Sequence, residues 1–504
     1  ITPPPPRTGS DIGAGLRWTL TKLFQSTLPA RGAARELTLT LDDAIAMARV
    51  QSVDAAVALD ELKTAYWQWR SYRAERLPEI TLTATLPSYN DRYTSYMNGD
   101  GEYSFVRTHN LDAQAQLSVS QNIPLTGGTV GLSTSLDYMR QFEDGGSNRF
   151  LTIPVALTLQ QPIFGVNTFK WDSRIEPVRF QEAKAAFLSA TEDVALTTVN
   201  YFFTLVMSHE NVAIARQNLE NADKLYAVAV EKRKMGQISE NDLRQMELNV
   251  LDAQSDLTEC SSTLKSDMFT LRSFLDLGED VEIVPVVPET IPAAHISYSD
   301  ALERALANNK FAKNICRRQL EADYEVAKAK GDLRQIKLYA QAGFTGTDHR
   351  LGDAYSRLRG NQLIEVGLSI PLVDWGKRRG KVKVAESNRR VMESRLRQES
   401  LDFNQQLFVL VERFGNQQQQ LSIAVRADEI ARQRYNTNFE TFMIGKISTL
   451  DLNDSQTKKD ESKRQYINEL YKFWNYWYRI RSLTLYDYEH LGDINADIDR
   501  LCRM

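Results

Sequence analysis

From Trp375 to Gly445 no proline interrupts a helical pattern of about 70 residues, a rod of roughly 105 Å at the rise of an α-helix. Pro177 to Gly236 predicts a second rod of about 60 residues, roughly 90 Å long. Helices of that length usually pack as coiled coils. Four shorter helical patterns accompany them: Asp42 to Arg76, Asp242 to Leu275, Asp300 to Asp332 and Asp451 to Leu485. Each is about half a rod, so two of them end to end match one rod in length. Yet the long faces are rich in Ala, Gln, Asn and Ser, as at Asn211 to Asp223 and Asn416 to Ser422. A dry core would ask for more Leu and Ile. A hollow helical barrel that is wet inside suits small and polar residues better.

The units are written twice. Thr40-Leu41-Asp42-Asp43-Ala44-Ile45 returns as Ser297-Tyr298-Ser299-Asp300-Ala301-Leu302, and both carry an S/T-x-x-D capping box that opens an amphipathic helix. Met235-Gly236-Gln237-Ile238-Ser239 returns as Ile444-Gly445-Lys446-Ile447-Ser448, followed by Asp242-Leu243 and Asp451-Leu452. Two motifs recurring in the same order point to an internal repeat. The expected division is a first copy over 40–283, a Pro-rich linker over 284–296, a second copy over 297–488 and a tail over 489–504. The segment 1–39, with Pro3 to Pro6, carries no readable signal. The opening at Ile1, without a basic–apolar signal segment, reads as a mature or trimmed form and does not argue for a cytosolic home.

Between the helices the period changes to two. Leu111, Ala113, Ala115, Leu117, Val119 and Ile123 alternate with Asp112, Gln114, Gln116, Ser118, Ser120 and Asn122. Val130 to Tyr138, ahead of the Asp144-Gly145-Gly146 turn, behaves likewise, as do Leu151 to Leu159, Leu338 to Phe344 and Ile364 to Ile370. One apolar face and one Ser/Thr/Gln/Gly face fits a barrel wall between lipid and water. The strands alone fit an ordinary sandwich with one buried face equally well, and the long helices decide for the barrel. No apolar run approaches the roughly 18 residues of a membrane-spanning helix; the longest, Tyr201 to Met207, is far shorter. A bilayer would therefore be crossed by strands.

Composition closes other classes. The net charge of −4 recruits no nucleic acid. Cys260, Cys316 and Cys502 lie far apart, in neither metal nor disulfide spacing. His209-Glu210 lacks the second His of a zinc site, and the five His do not cluster. There is no phosphate loop and no dinucleotide fingerprint. No catalytic residue, metal or cofactor is expected.

At this point the chain resembles the TolC family of outer-membrane efflux proteins. The resemblance covers about Thr40 to Tyr488 and rests on the doubled order of helix, strands, long helix, tip and helix. Gln161-Pro162-Ile163-Phe164-Gly165 and Pro371-Leu372-Val373-Asp374-Trp375-Gly376 match where the family passes from barrel strand to long helix. It implies an α+β membrane protein, a trimer with an outer-membrane β-barrel continued by a long α-helical barrel through the periplasm. It implies the function of a passive exit duct for efflux or secretion that joins an adaptor protein and an inner-membrane pump. The adaptor contact would fall on the tips, at Met235, Gly236, Gln237, Ile238 and Asp242 and at Ile444, Gly445, Lys446 and Ile447. The aspartates that ring the closed aperture in the family would be Asp451 and Asp454. A soluble coiled-coil scaffold is the alternative from another class.

The residues also have simpler roles. Gly236 and Gly445 supply the left-handed conformation that ends a helix. Asp242 and Asp451 are helix caps, whereas Asp454, three positions on, has no cap to make and is the better aperture candidate. Phe473, Trp474, Tyr476, Trp477 and Tyr478 read as helix packing. Tyr93, Tyr96, Tyr103 and Phe105 read as interfacial girdle or loop residues. One departure from the family stands out. Family barrels take four strands per subunit, and six are expected here, starting near Ile80, Leu111, Val130, Leu151, Leu338 and Ile364. Either the barrel has eighteen strands or one first-half hairpin lies outside it.

Overall fold

The computed structural model describes residues 35–503 apart from 98, 100, 143–145, 289, 334, 370–372 and 445. Asp144 and Gly145 of the expected turn, with Ile370, Pro371, Leu372 and Gly445, fall outside the described residues, as does most of the segment 1–39. The chain divides into two compact units. One takes residues 66–180 and 314–397, and the other takes 1–65, 181–313 and 398–504.

Helices dominate. The order begins with strand β1 (Arg35–Leu39), α1 (Leu41–Gln51) and α2 (Val53–Ala74). Later come α3 (Thr168–Lys234), α4 (Glu240–Phe274), strand β6 (Val281–Pro285), α5 (Tyr298–Asn308) and α6 (Lys310–Gly331). The long α8 (Lys377–Met443) and α9 (Thr449–Thr484) follow, ahead of a short last helix, α10 (Ile498–Arg503). α1, α2, α3 and α4 have 11, 22, 67 and 35 residues; α5, α6, α8 and α9 have 11, 22, 67 and 36.

Three helix boundaries differ from expectation. The helix expected over Asp42–Arg76 breaks at Ser52, and that over Asp300–Asp332 breaks at Asn309; both residues sit at φ −68°, ψ 147°. Each is an extended residue whose side chain restarts the chain. Ser52 Oγ accepts from the Ala55 amide at 3.2 Å, and Asn309 Oδ1 from the Phe311 amide at 2.7 Å. The free amides of a new helix end are satisfied locally, so the kink costs little. Pro177 was expected to start its rod, but α3 begins nine residues earlier and takes Pro177 inside. An interior proline loses one amide bond and crowds the carbonyl four residues back, and here the helix runs through it nonetheless.

In the second unit named above, β1 and β6 pair in parallel, from Arg35↔Val281 to Leu39↔Pro285. Parallel pairing of strands so far apart in sequence gives no local signal, and the sequence reading did not anticipate it. The core around them gathers Phe202, Leu205, Leu271, Leu275, Leu407, Phe414, Phe473 and Trp477. The aromatic stretch of α9 thus packs inward, with Phe414 ring centres 5.3 Å from Phe473 and 5.9 Å from Trp477. Buried residues of α8 include a run of Phe403, Leu407, Leu410, Phe414, Gln417, Leu421, Ala424 and Asp428 in alternating steps of four and three, with Val411 buried beside it. That is the seam of a left-handed coiled coil. Two seam positions are polar. Gln417 Nε2 donates to the Glu469 backbone oxygen at 2.9 Å and to its carboxylate at 2.6 Å, and Asp428 pairs with Arg432. Leu401, Phe408, Ile423 and Ile430, on the other side of α8, are exposed.

A charged clamp ties the same core. Glu192 of α3 is 1% exposed and lies between Arg49 of α1 at 2.5 Å and Arg481 of α9 at 3.2 Å. Arg481 also reaches Asp487 at 3.2 Å. Burial alone would make the Arg481 guanidinium easier to deprotonate. Glu192 and then Asp487 outweigh that and hold its proton more firmly than usual. Burial also pushes the neighbouring Tyr478 phenol up to about 12.

The other unit holds one sheet of six strands. They are β2 (Glu79–Met97), β3 (Tyr103–Ile123), β4 (Gly128–Gln141), β5 (Ser147–Pro162), β7 (Gln335–Asp348) and β8 (Arg359–Ser369). All are antiparallel, in the order β2-β3-β4-β5-β7-β8. All six expected strands are present, each longer than its apolar run because the polar ends continue the ladder. Paired residues share a face. Ile80, Val119, Leu132, Leu157 and Ala342 form one row across five strands, and Val130, Leu159, Ala340 and Ile364 form the next. The opposite face carries Thr81, Ser118 and Ser133, then Thr83, Gln116 and Ser135. Ile80, Leu82 and Ile364 are 69%, 70% and 78% exposed, so this apolar face has no partner among the described residues. Tyr93, Tyr103 and Phe105 stand exposed where β2 and β3 pair only with each other, past the last β4 pair at Asn110↔Gln141. A short helix, α7 (Leu351–Ser356), joins β7 to β8 and is pinned to the sheet by buried Thr152, whose hydroxyl donates to the Ala354 oxygen at 3.0 Å.

Candidate functional site at the helix turns

α3 ends on Lys232, Arg233 and Lys234, cations that complement the negative end of the helix dipole. The chain then needs a residue of positive φ to leave the helix, and Gly236 supplies it at φ +73°. Its amide donates to the Arg233 oxygen and the Gln237 amide to the Lys232 oxygen, both at 2.9 Å. This pair of bonds satisfies carbonyls that the helix end leaves free. Ser239 opens α4 through a full capping box with Asp242. The Ser239 hydroxyl and backbone amide hold the Asp242 carboxyl below the usual range.

The turn between α8 and α9 shares the long amide bond and the capping box. The Lys446 amide donates to the Thr441 oxygen at 3.1 Å, spanning the same five residues as the Gln237 bond. Ser448 and Asp451 form the second capping box, with the Asp451 amide 3.2 Å from the Ser448 hydroxyl. Asp451 is therefore a capping residue, as its position suggested.

The two turns come together. A cleft of about 470 Å³ is lined from α3 by Lys232, from α4 by Asp242, from α8 by Phe442, and by Ile238 and Ile447 of the turns. The Lys232 ammonium stands 5.5 Å from the centre of the Phe442 ring. Met235 and Ile444 point outward, 64% and 66% exposed, and Leu450 of α9 joins them. Gln237 and Lys446 are exposed as well. Sequence reasoning named both turns but not their joint cleft, and it missed Leu450 and Phe442.

Asp454 is exposed but not alone. Its carboxylate accepts from Arg434 of α8 at 2.7 Å. Twenty positions of sequence separate the two, and only the packing of α8 beside α9 brings them together. An ion pair of this exposure contributes on the order of 0–1 kcal/mol. Among the described residues, no His, Cys, Asp or Glu side chains gather into a set that would hold a metal, and no helix is long and apolar enough to cross a membrane.

Residues 301–484 match the family model described as outer membrane efflux protein. No curated protein matches the sequence. Solved structures match over most of the chain. The CmeC outer membrane channel of Campylobacter jejuni is 16% identical, with TM-score 0.64, over 92% of this chain and 88% of that one. VceC, an outer membrane protein of Vibrio cholerae, is 14% identical, with TM-score 0.63, over 90% and 97%. The open-state MtrE outer membrane channel of Neisseria gonorrhoeae is 12% identical, with TM-score 0.58, over 93% and 95%. At such identities the structures speak for the fold, and the family model speaks for the residues it matches. Residues 301–484 thus carry an outer membrane efflux protein signature, the chain has the fold of outer-membrane channels, and its place is the bacterial outer membrane.

Proposed function

We propose that the chain is one subunit of a passive exit duct. Three copies join their sheets into an outer-membrane β-barrel and their long helices into an α-helical barrel. The helix turns dock to a periplasmic adaptor and an inner-membrane pump, and cargo passes without chemistry. The observation that carries the reading is a sheet with an exposed apolar face in a chain bearing an efflux family signature. The exposed side of α8, with Leu401, Phe408, Ile423 and Ile430, supports association of copies along the helices. The matched helix lengths support an internal duplication, with 40–283 and 297–488 as the two copies and 284–296 between them.

The test is extraction. The protein is expected in the outer-membrane fraction as a detergent-dependent trimer, because the apolar face needs lipid or detergent to cover it. A monomer released in soluble form with the periplasm would overturn the duct and favour a coiled-coil scaffold.

The docking assignment has its own expected result. Gly236→Val leaves open space for its side chain but holds a β-branched residue at φ +73°, a conformation costing on the order of 1–3 kcal/mol. Pump-dependent export should fall while trimer yield is kept. Gly236→Ala, less strained, should retain more export. Equal export from wild type and both variants would remove the first turn from the docking surface.

A further inference from the structure

We propose that β8 of one subunit pairs with β2 of the next, so that all six strands enter the wall and the assembled barrel has eighteen. This rests on the trimeric duct reading and adds to it the strand number and the seam.

The sheet itself excludes the simpler alternative. For a twelve-stranded barrel, the β2–β3 hairpin would have to leave the wall. Yet β3 and β4 are joined by an unbroken ladder from Asn110↔Gln141 to Ile123↔Gly128, without a register shift. The apolar row that includes Val119 and Leu132 runs on into Ile80 of β2. Removing the hairpin would break that ladder and strip two strands whose exposed Ile80, Leu82 and Leu117 belong to the apolar face. None of the six is too short for the wall. The shortest, β8, has 11 residues, and a transmembrane strand needs about 9–11.

Direction and hydrogen bonding then choose the seam. Strand direction alternates through all six, so the edge strands β2 and β8 run opposite ways. Each presents a row of backbone groups without a partner strand among the described residues. Open edges do not persist in hydrocarbon, where each unsatisfied group costs several kcal/mol. With identical copies, β8 against β2 is the pairing that leaves no edge and keeps the wall antiparallel throughout. Barrel diameter grows roughly linearly with strand number, so this wall is about half again as wide as a twelve-stranded one. Barrels of 16–18 strands enclose an aqueous channel without a plug, which fits bulky, hydrated cargo.

Cysteine pairs test the seam in the detergent-extracted trimer, with Cys260, Cys316 and Cys502 replaced by Ser. Leu363→Cys on β8 is combined in turn with Thr81→Cys, Thr83→Cys and Thr85→Cys on β2. A second series uses Ser133→Cys, Ser135→Cys and Asp137→Cys on β4, the edge that would be left if the hairpin lay outside. Mild oxidation is expected to give covalent dimers and trimers in the β2 series alone. Hydrogen exchange on the wild-type trimer should show protection along β2 from Glu79 to Asp91. The proposal falls if the β4 series cross-links instead, or if neither series does and β2 exchanges as fast as the hairpin tip. Protection of β2 without cross-links in either series keeps it. Failure to find a trimer at all would overturn the duct reading first, which native mass measurement on the same sample reads separately.

Discussion

Glu192→Ala should lower the stability of the assembled protein by about 3–5 kcal/mol, because removing one partner of a buried ion pair leaves uncompensated charge in the core. Two cations depend on this carboxylate. Arg49 has Glu192 as its ion-pair partner, while Arg481 keeps Asp487. Arg49→Ala is therefore expected to cost less than Glu192→Ala, since Glu192 retains Arg481. Glu192→Gln, which keeps the shape and one acceptor, should fall between wild type and alanine. The measurement is the urea or thermal midpoint of the detergent-solubilised protein, followed by helical circular dichroism. An unchanged midpoint for Glu192→Ala would show that the clamp contributes nothing net, as happens when desolvation cancels the attraction.

The second large effect is expected at the aperture, on the reading that Asp451 and Asp454 of three copies gather at one mouth. A carboxylate ring concentrates negative potential and favours cations. Asp451→Ala combined with Asp454→Ala should weaken cation preference in single-channel recordings and relieve block by polyvalent cations. The pairing of Asp454 with Arg434 adds an opposite test. Arg434→Ala removes a neutralising charge, so cation preference and block should rise. Losing the Asp451 cap costs about 1 kcal/mol, which leaves the fold intact. Asp242→Ala removes the matching cap at the other turn and serves as control. If that control shifts selectivity as far as the double variant does, capping is responsible and the ring assignment is wrong.

Much of this architecture is legible because long helices and half-exposed strands print their periods directly. The six strands follow from alternation such as Leu111 to Val119, and both turns follow from Ser three positions before Asp. What escaped lies in features without a period. The breaks at Ser52 and Asn309 are single extended residues, with no glycine or proline to announce them, and only their capping side chains mark them. The parallel β1–β6 pair joins strands over two hundred positions apart. Pro177 misled because proline is read as a helix start, while a 67-residue helix absorbs one lost bond. At the turns, Ser239 and Ser448 were readable as caps. The cleft shared by Ile238 and Ile447, and the Arg434–Asp454 pair, depend on how separate helices lie together, which one chain's spacing does not encode.

Gln417 in the α8 seam restricts how α8 and α9 can slide past each other. An apolar heptad seam tolerates a slip of one repeat, since each knob finds an equivalent hole about 10 Å along. Gln417 removes that freedom, whereas Asp428 pairs with Arg432 of its own helix and travels with it. A slip would carry Gln417 away from Glu469, leaving its buried amide without these bonds while Glu469 keeps Gln465 and Lys472 of its own helix, at a cost on the order of 1–3 kcal/mol. The coil is thus indexed like a ratchet with one tooth engaged. Axial sliding of α8 along α9 breaks these bonds, so the pair resists a change of register.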